Sequence, residues 1–184
     1  MSRKYKIRDQ ERLYFVTFTV VEWIDLFSRQ VYRDIFLDSL RFCQTKKGLD
    51  LCAYCIMSSH AHLILGRSGD QKLEDIIRDI KKFTSVKIIQ TIKELQEESR
   101  RNFLIHHFSK AGNSNPNNSM YQVWQQNNHP IELNTEDKIN RCLNYIHRNP
   151  VEAGIVLSPE EYLYSSAKYY SGHPEKLIDV ILIE

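Results

Sequence analysis

The chain has 184 residues with a formal net charge of +2, 42% hydrophobic and 26% charged residues. That fits one domain with its own hydrophobic core, and it excludes disordered and collagen-like classes. The near-neutral total gives no whole-chain argument for nucleic acid, so local clusters matter more. No apolar run approaches a membrane span, and the basic start MSRKYKIRDQERLYF lacks a signal-peptide core. A cytoplasmic protein is expected.

Residues 13–21 (LYFVTFTVV) are aromatic and β-branched and predict a buried strand. Residues 30–46 carry Val31, Ile35, Leu40 and Phe42 among charges, which predicts a helix stopped at Lys47-Gly48. Residues 50–57 predict a second strand, Ser58-Ser59 a turn, and 60–66 (HAHLILG) a third strand antiparallel to the second. Residues 71–98 read as a long helix with Ile76, Ile80, Phe83 and Ile88 at three-and-four spacing. The segment 109–119 (SKAGNSNPNNS) reads as a polar loop, and 120–127 as a strand. A helix then starts at Thr135, with Glu136 and Asp137 at its positive end. Its expected end is Pro150. Residues 159–170 predict a short helix, and the apolar tail LIDVILI a further strand.

This order gives an α+β chain with a ferredoxin-like antiparallel sheet and helices on one face. The middle hairpin is expected at the sheet centre. Residues 1–184 read as a single domain, with a C-terminal extension after about residue 158. Of the four cysteines, Cys43, Cys52, Cys55 and Cys142, the pair at 52 and 55 has no second pair or histidines at zinc spacing. Reduced structural thiols are expected.

Alternation along a strand points His60 and His62 to one side and Ala61, Leu63 and Leu65 to the other. Two neutral imidazoles on one rigid face can hold a metal. Histidines two apart are common by chance, so spacing alone does not assign one. Tyr145 and Asn149 are four apart and share a helix face. A tyrosine hydroxyl can be a covalent nucleophile, and an amide oxygen can bind a hard cation. On spacing alone, with ten tyrosines in the chain, a packing tyrosine and a capping asparagine are the plainer reading.

Five segments make the reading specific. YCIMSSHAHLIL (54–65) and YIHRNPVEAGIV (145–156) resemble the histidine motif and the tyrosine-helix end of the REP-associated tyrosine transposases, in the single-tyrosine HUH superfamily. YFVTFTV (14–20), VWQQ (123–126) and YLYSSAKYY (162–170) match in the same order. The resemblance implies an HUH endonuclease fold, a divalent metal held by His60 and His62 with Asn149 as third ligand, and Tyr145 as nucleophile. It implies Mg2+ or Mn2+, where ligand chemistry alone points to zinc or another imidazole-binding metal. It implies strand cleavage and transfer on single-stranded DNA with hairpin ends, through a 5′-phosphotyrosine, in DNA transposition. A homodimer would supply the two sites that two-ended exchange needs.

The sequence departs from the family at Ser58-Ser59, where Pro-Asn is frequent, and in the Asn-rich 109–119 segment. Arg3, Lys4, Lys81, Lys82 and Arg148 are candidates for the DNA backbone, and Tyr121 and Trp124 for base stacking. Solvated faces and rim packing are the plain readings of the same residues. Rival functions are a relaxase or replication-initiator nickase, a domesticated DNA-binding protein, an RNA-binding sheet and a metal-storage protein. The lone tyrosine on its helix disfavours the first. The histidines in place of exposed sheet aromatics disfavour the RNA reading.

Overall fold

A computed structural model describes residues 7–116, 120–126 and 128–183. Four strands form one antiparallel sheet in the order β2-β3-β1-β4: β1 Leu13–Thr19, β2 Leu49–Ile56, β3 His60–Arg67 and β4 Ile131–Leu133. The expected α+β antiparallel sheet is present, with β3 inserted between β1 and β2 as in a split βαβ unit. The β2–β3 hairpin is off centre, because β2 is the last strand. Its outer edge is covered by backbone further along the chain. Ile56 N donates to Tyr164 O at 2.9 Å, Ser166 N to Tyr54 O at 3.0 Å, and Ile181 N to Leu51 O at 2.9 Å. Those bonds satisfy an edge that would otherwise invite pairing with another chain.

Side-chain alternation divides the sheet between two cores. Tyr14, Val16 and Phe18 of β1 share one face with Ala61, Leu63 and Leu65 of β3. Helices α1 (Gln30–Lys47) and α2 (Leu73–Glu94) cover it with Tyr32, Phe36, Leu40, Ile76, Ile80 and Ile88. Phe15, Ala53, Cys55, Ile64 and Leu133 lie on the other face, where α4 (Glu136–Glu152) packs through Ile146. Helices on one face therefore describes α1 and α2 only, and α4 takes the opposite face. No helix among the described residues is long and apolar enough to cross a membrane.

Several elements differ from their expected positions. The polar loop is in part a helix, α3, spanning Arg101–Asn113 with Leu104, Phe108 and Gly112 buried four apart. Residues 117–119 and 127 lie outside the described residues. The segment 120–126 makes one isolated bridge, Val20 to Trp124, and the fourth strand is β4 instead. Trp124 is enclosed by Phe18, Phe27 and Phe36, and its indole N–H donates to Thr84 Oγ1 at 2.8 Å. The tail after 177 contributes the Ile181 bond but no strand, and only Ala167–Tyr170 of the expected short helix is α-helical (α5).

Pro150 does not end α4. A proline removes one donor, and this one lies in the last turn, where a single intrahelical bond is lost. The stop is Gly154 at φ 69, with Gly154 N bonded to Val151 O and Ile155 N to Pro150 O at 2.9 Å each. That is a Schellman ending, in which left-handed glycine returns the chain onto the last turn.

Gly112 faces the 120–126 segment. A Cβ there would lie 2.4 Å from Met120 O and 2.7 Å from Tyr121 N, both backbone atoms. Alanine gains about 1 kcal/mol of helix propensity, whereas forced backbone movement costs about 1–3 kcal/mol. Gly112→Ala is expected to lower the melting temperature, and an unchanged or raised value would refute the close packing of α3 on this segment.

His147 of α4 joins that helix to the β2 edge. Its Nε2 lies 2.8 Å from Ser166 Oγ, which also accepts from Tyr54 N at 3.0 Å. Burial lowers the His147 pKa from 6.5 to about 4. Between those values the unfolded chain binds a proton that the folded chain refuses. His147 therefore contributes stability in full above about pH 6.5, and the contribution is lost as the pH falls toward 4. Urea midpoints measured across this window should fall less steeply for His147→Gln than for the wild type, and equal slopes would remove His147 from the linkage.

Candidate active site

The α4 face of the sheet carries a cluster of polar and aromatic side chains. β1 and β3 pair with Thr17 opposite His62 and Thr19 opposite His60. The core on the other side takes Phe18, Ala61 and Leu63, so alternation leaves Phe15, Thr17, His60 and His62 facing α4. The His60 and His62 rings are 4.7 Å apart. Phe15 stacks on His62 at 5.4 Å between ring centroids, with an interplanar angle of 24°.

α4 brings Tyr145 onto this pair. Its ring stands edge-on to His62 at 5.1 Å, and its hydroxyl lies 3.4 Å from His62 Nε2. That separation is long for a hydrogen bond, as is common where catalytic contacts tighten only around substrate. The neighbouring Ile146 is fully buried, whereas Tyr145 is 46% exposed, so the phenol sits at the solvent boundary. Asn149 follows one helical turn later and is half-buried, with no side-chain hydrogen bond among the described residues.

The electrostatics keep both imidazoles neutral. Burial pushes the His62 pKa down to about 3, with the neighbouring His60 adding to the effect, and burial also lowers that of His60. Thr17 Oγ1 lies 2.9 Å from His62 Nδ1. If Nδ1 carries the hydrogen and donates it to Thr17, the Nε2 lone pair is free for a cation or for the phenol. Ser59 Oγ lies 3.2 Å from His60 Nδ1 and offers the same device less tightly.

No group of three His, Cys, Asp or Glu among the described residues could enclose a metal ion. The site instead offers two imidazoles and, on the adjoining helix, an amide oxygen. Such a set fits a divalent cation that keeps coordination positions for water or phosphate, and it does not fit a closed structural site. The cysteines add nothing to it. Cys52 and Cys55 are buried thiols whose pKa values burial raises to about 12.

The basic candidates separate. Lys81 Nζ donates to Gln125 O at 2.6 Å and sits 5.7 Å from the Phe18 ring, and burial lowers its pKa to about 8. It fastens the 120–126 segment. Lys82 is exposed, and Arg148 is exposed on α4 beside Glu152 at 3.7 Å. Arg3 and Lys4 lie outside the described residues. Of the stacking candidates, Trp124 is core, and Tyr121 lies under the Lys93 ammonium at 4.6 Å. Phe15 and Thr17 join the site without having been singled out in the sequence, and Ser59, named there only as a turn residue, joins them. Their signal is positional, since Phe15 and Thr17 alternate on a strand whose partner register decides what they face.

Among curated proteins no sequence matches this chain. One solved structure, a REP-associated tyrosine transposase bound to a REP hairpin, superposes with a TM-score of 0.60 at 15% identity, covering 100% of this chain and 94% of that one. At this identity the likeness establishes the fold. A transposase candidate of Deinococcus radiodurans R1 aligns at 18% identity and a TM-score of 0.47, over 79% of this chain and 94% of that one. The sequence profile described as "Transposase IS200 like" matches residues 14–113, which hold β1, both histidines, α2 and α3. That match spans more than half of the chain, bears out the transposase resemblance, and places the protein in the IS200-like transposase family.

Proposed function

We propose that the protein cuts and rejoins single-stranded DNA, with Tyr145 as nucleophile and a divalent cation, Mg2+ or Mn2+, at His60, His62 and Asn149. The observation that carries this reading is the placement of the Tyr145 hydroxyl 3.4 Å from His62 Nε2, on the face that also holds His60. Within the family, the nearest chemical role for a solvent-reachable phenol against a pair of neutral imidazoles is attack on a backbone phosphate. A structural relative was solved with a REP hairpin, which supports hairpin-ended DNA as the substrate class.

When bound, the cation supplies charge neutralisation on the non-bridging phosphate oxygens. Thr17 holds the His62 ring at Nδ1, and Phe15 holds it from one side. Tyr145 forms a bond from its oxygen to phosphorus while the bond from phosphorus to the 3′ oxygen breaks. The phenolic proton passes to solvent, which reaches this half-exposed residue, and the departing 3′ oxygen takes up a proton. The 5′ phosphate stays on tyrosine with its ester energy preserved, so another 3′ hydroxyl can displace Tyr145 and rejoin the strand. Two-ended exchange needs two such sites, from a homodimer or from successive rounds. Of the basic candidates named from the sequence, Lys82 and Arg148 are exposed and open to backbone contact.

Labelled single strands from the DNA flanking the gene, incubated with Mg2+ or Mn2+, should give a covalent protein–DNA band on a denaturing gel. Tyr145→Phe should abolish it, and the His60→Ala/His62→Ala pair should remove its metal-dependent part. A band surviving Tyr145→Phe would overturn the nucleophile assignment. Tight binding with no band from any flanking strand would leave a DNA-binding protein. Thr17→Val should weaken Mn2+ binding by about 10- to 100-fold in a titration, through loss of the His62 anchor.

A further inference from the structure

We propose that Trp23 is a stacking platform for the unpaired nucleobase next to the phosphate that Tyr145 attacks. This rests on the strand-cutting reading and adds a specific residue to it. Trp23 stands beside His60, with ring centroids 5.4 Å apart and planes crossing at 75°. It is 59% exposed, so indole surface remains in solvent after this contact. Its indole N–H makes no hydrogen bond among the described residues.

The turn that presents it is strained and firmly held. Glu22 and Trp23 both have φ 55, in the left-handed region that bulky side chains rarely enter. On either side the chain is anchored. Val20 N donates to Ser59 O and Val21 N to Val123 O, both at 2.9 Å, and Trp23 N donates to Val20 O at 3.1 Å. Val21 and Ile24 are buried, and Glu22 pairs with His107 of α3. The turn buries both aliphatic neighbours and turns the largest side chain outward. A tryptophan in solvent forgoes the burial that would stabilise it, and nothing in the packing of this turn needs its indole. The arrangement makes sense as a preset aromatic face at the rim of the histidine pair. From there a base is within one nucleotide's reach of a phosphate at His60 and His62. Stacking on an aromatic face suits any unpaired base and fails for a paired one, which fits a single-stranded substrate.

The test uses the full chain carrying Tyr145→Phe, so that binding is read without chemistry. Fluorescence anisotropy follows a labelled single strand from the gene's flank, and tryptophan emission is recorded alongside. The chain has two tryptophans, and Trp124 is buried in the core, so quenching reports on Trp23. Bound strand should quench the emission. Trp23→Ala should weaken binding about tenfold, and Trp23→Phe should retain affinity within about threefold while losing the quench. An abasic nucleotide beside the cleaved position should bring wild-type Trp23 down to the alanine variant. Emission unchanged at saturation, or equal affinity for Trp23 and Trp23→Ala, would overturn the proposal. A covalent Tyr145 adduct with an indifferent Trp23 would sink this inference and leave the nuclease reading standing. Quenching by wild-type protein that forms no adduct would overturn the cutting reading and with it the placement of the base beside an attacked phosphate, leaving Trp23 as a strand-binding face only.

Discussion

The pairing of β3 against β1 is the constraint on which the candidate site depends. Thr17 faces His62 across that ladder, and Phe18 faces Ala61. A slip of one residue would turn the histidines into the α1–α2 core and Leu63 and Leu65 out of it, because side chains alternate with period two. The register is thus held by burial on the far face of the sheet. Phe18, Leu63 and Leu65 are fully buried there, and each such side chain contributes about 1.5–3 kcal/mol over an exposed one. The positions of Thr17 and His62 follow from apolar side chains on the opposite face of the sheet.

α4 completes the site by a similar division of labour within one helix. Ile146 is buried against the sheet, and the adjacent Tyr145 stands at the boundary above His62. A rotation of the helix that exposed Ile146 would also carry the phenol away, so the packing of one residue sets the reach of the next. Thr135 starts the helix by accepting from Lys138 N at 3.4 Å, and Gly154 ends it. Pro150 sits too near that end to break it.

The alternating and three-four patterns made β1, β2, β3, α1 and most of α2 legible in the sequence, along with the shared face of the two histidines. α3 was hidden because its last residues run on into the Asn-rich stretch that made 109–119 read as one loop, while its buried stripe is only Leu104, Phe108 and Gly112. β4 was hidden by its three residues, too few to show alternation. Its neighbour at 120–126 has the β-branched and aromatic look of a strand but spends Trp124 in the core. Tyr145 was singled out through its motif, and geometry sets it against His62, with Asn149 one turn further along the same helix. Phe15, Thr17 and Trp23 were not, since each owes its place to a cross-strand register or to a positive backbone angle that no local pattern announces.

The two faces of the sheet carry unequal burdens. The α1–α2 face is a continuous aromatic and aliphatic core, and stability is concentrated there. The α4 face gives up part of its apolar area to His60, His62 and Thr17. An imidazole only 5% exposed must satisfy its nitrogens, and His62 does so with Thr17 on one side and only loosely with Tyr145 on the other. That loosely satisfied nitrogen points toward the phenol and the solvent boundary. Under the proposed function it is where a cation would bind, and the neutral ligand set leaves the cation's charge to be balanced by the phosphate itself. A carboxylate at the same place would hold the metal more tightly in the free protein and attract the phosphate less. Under that reading, the neutrality that burial imposes on the histidines would let one face of a small sheet recruit a cation and an anionic substrate together.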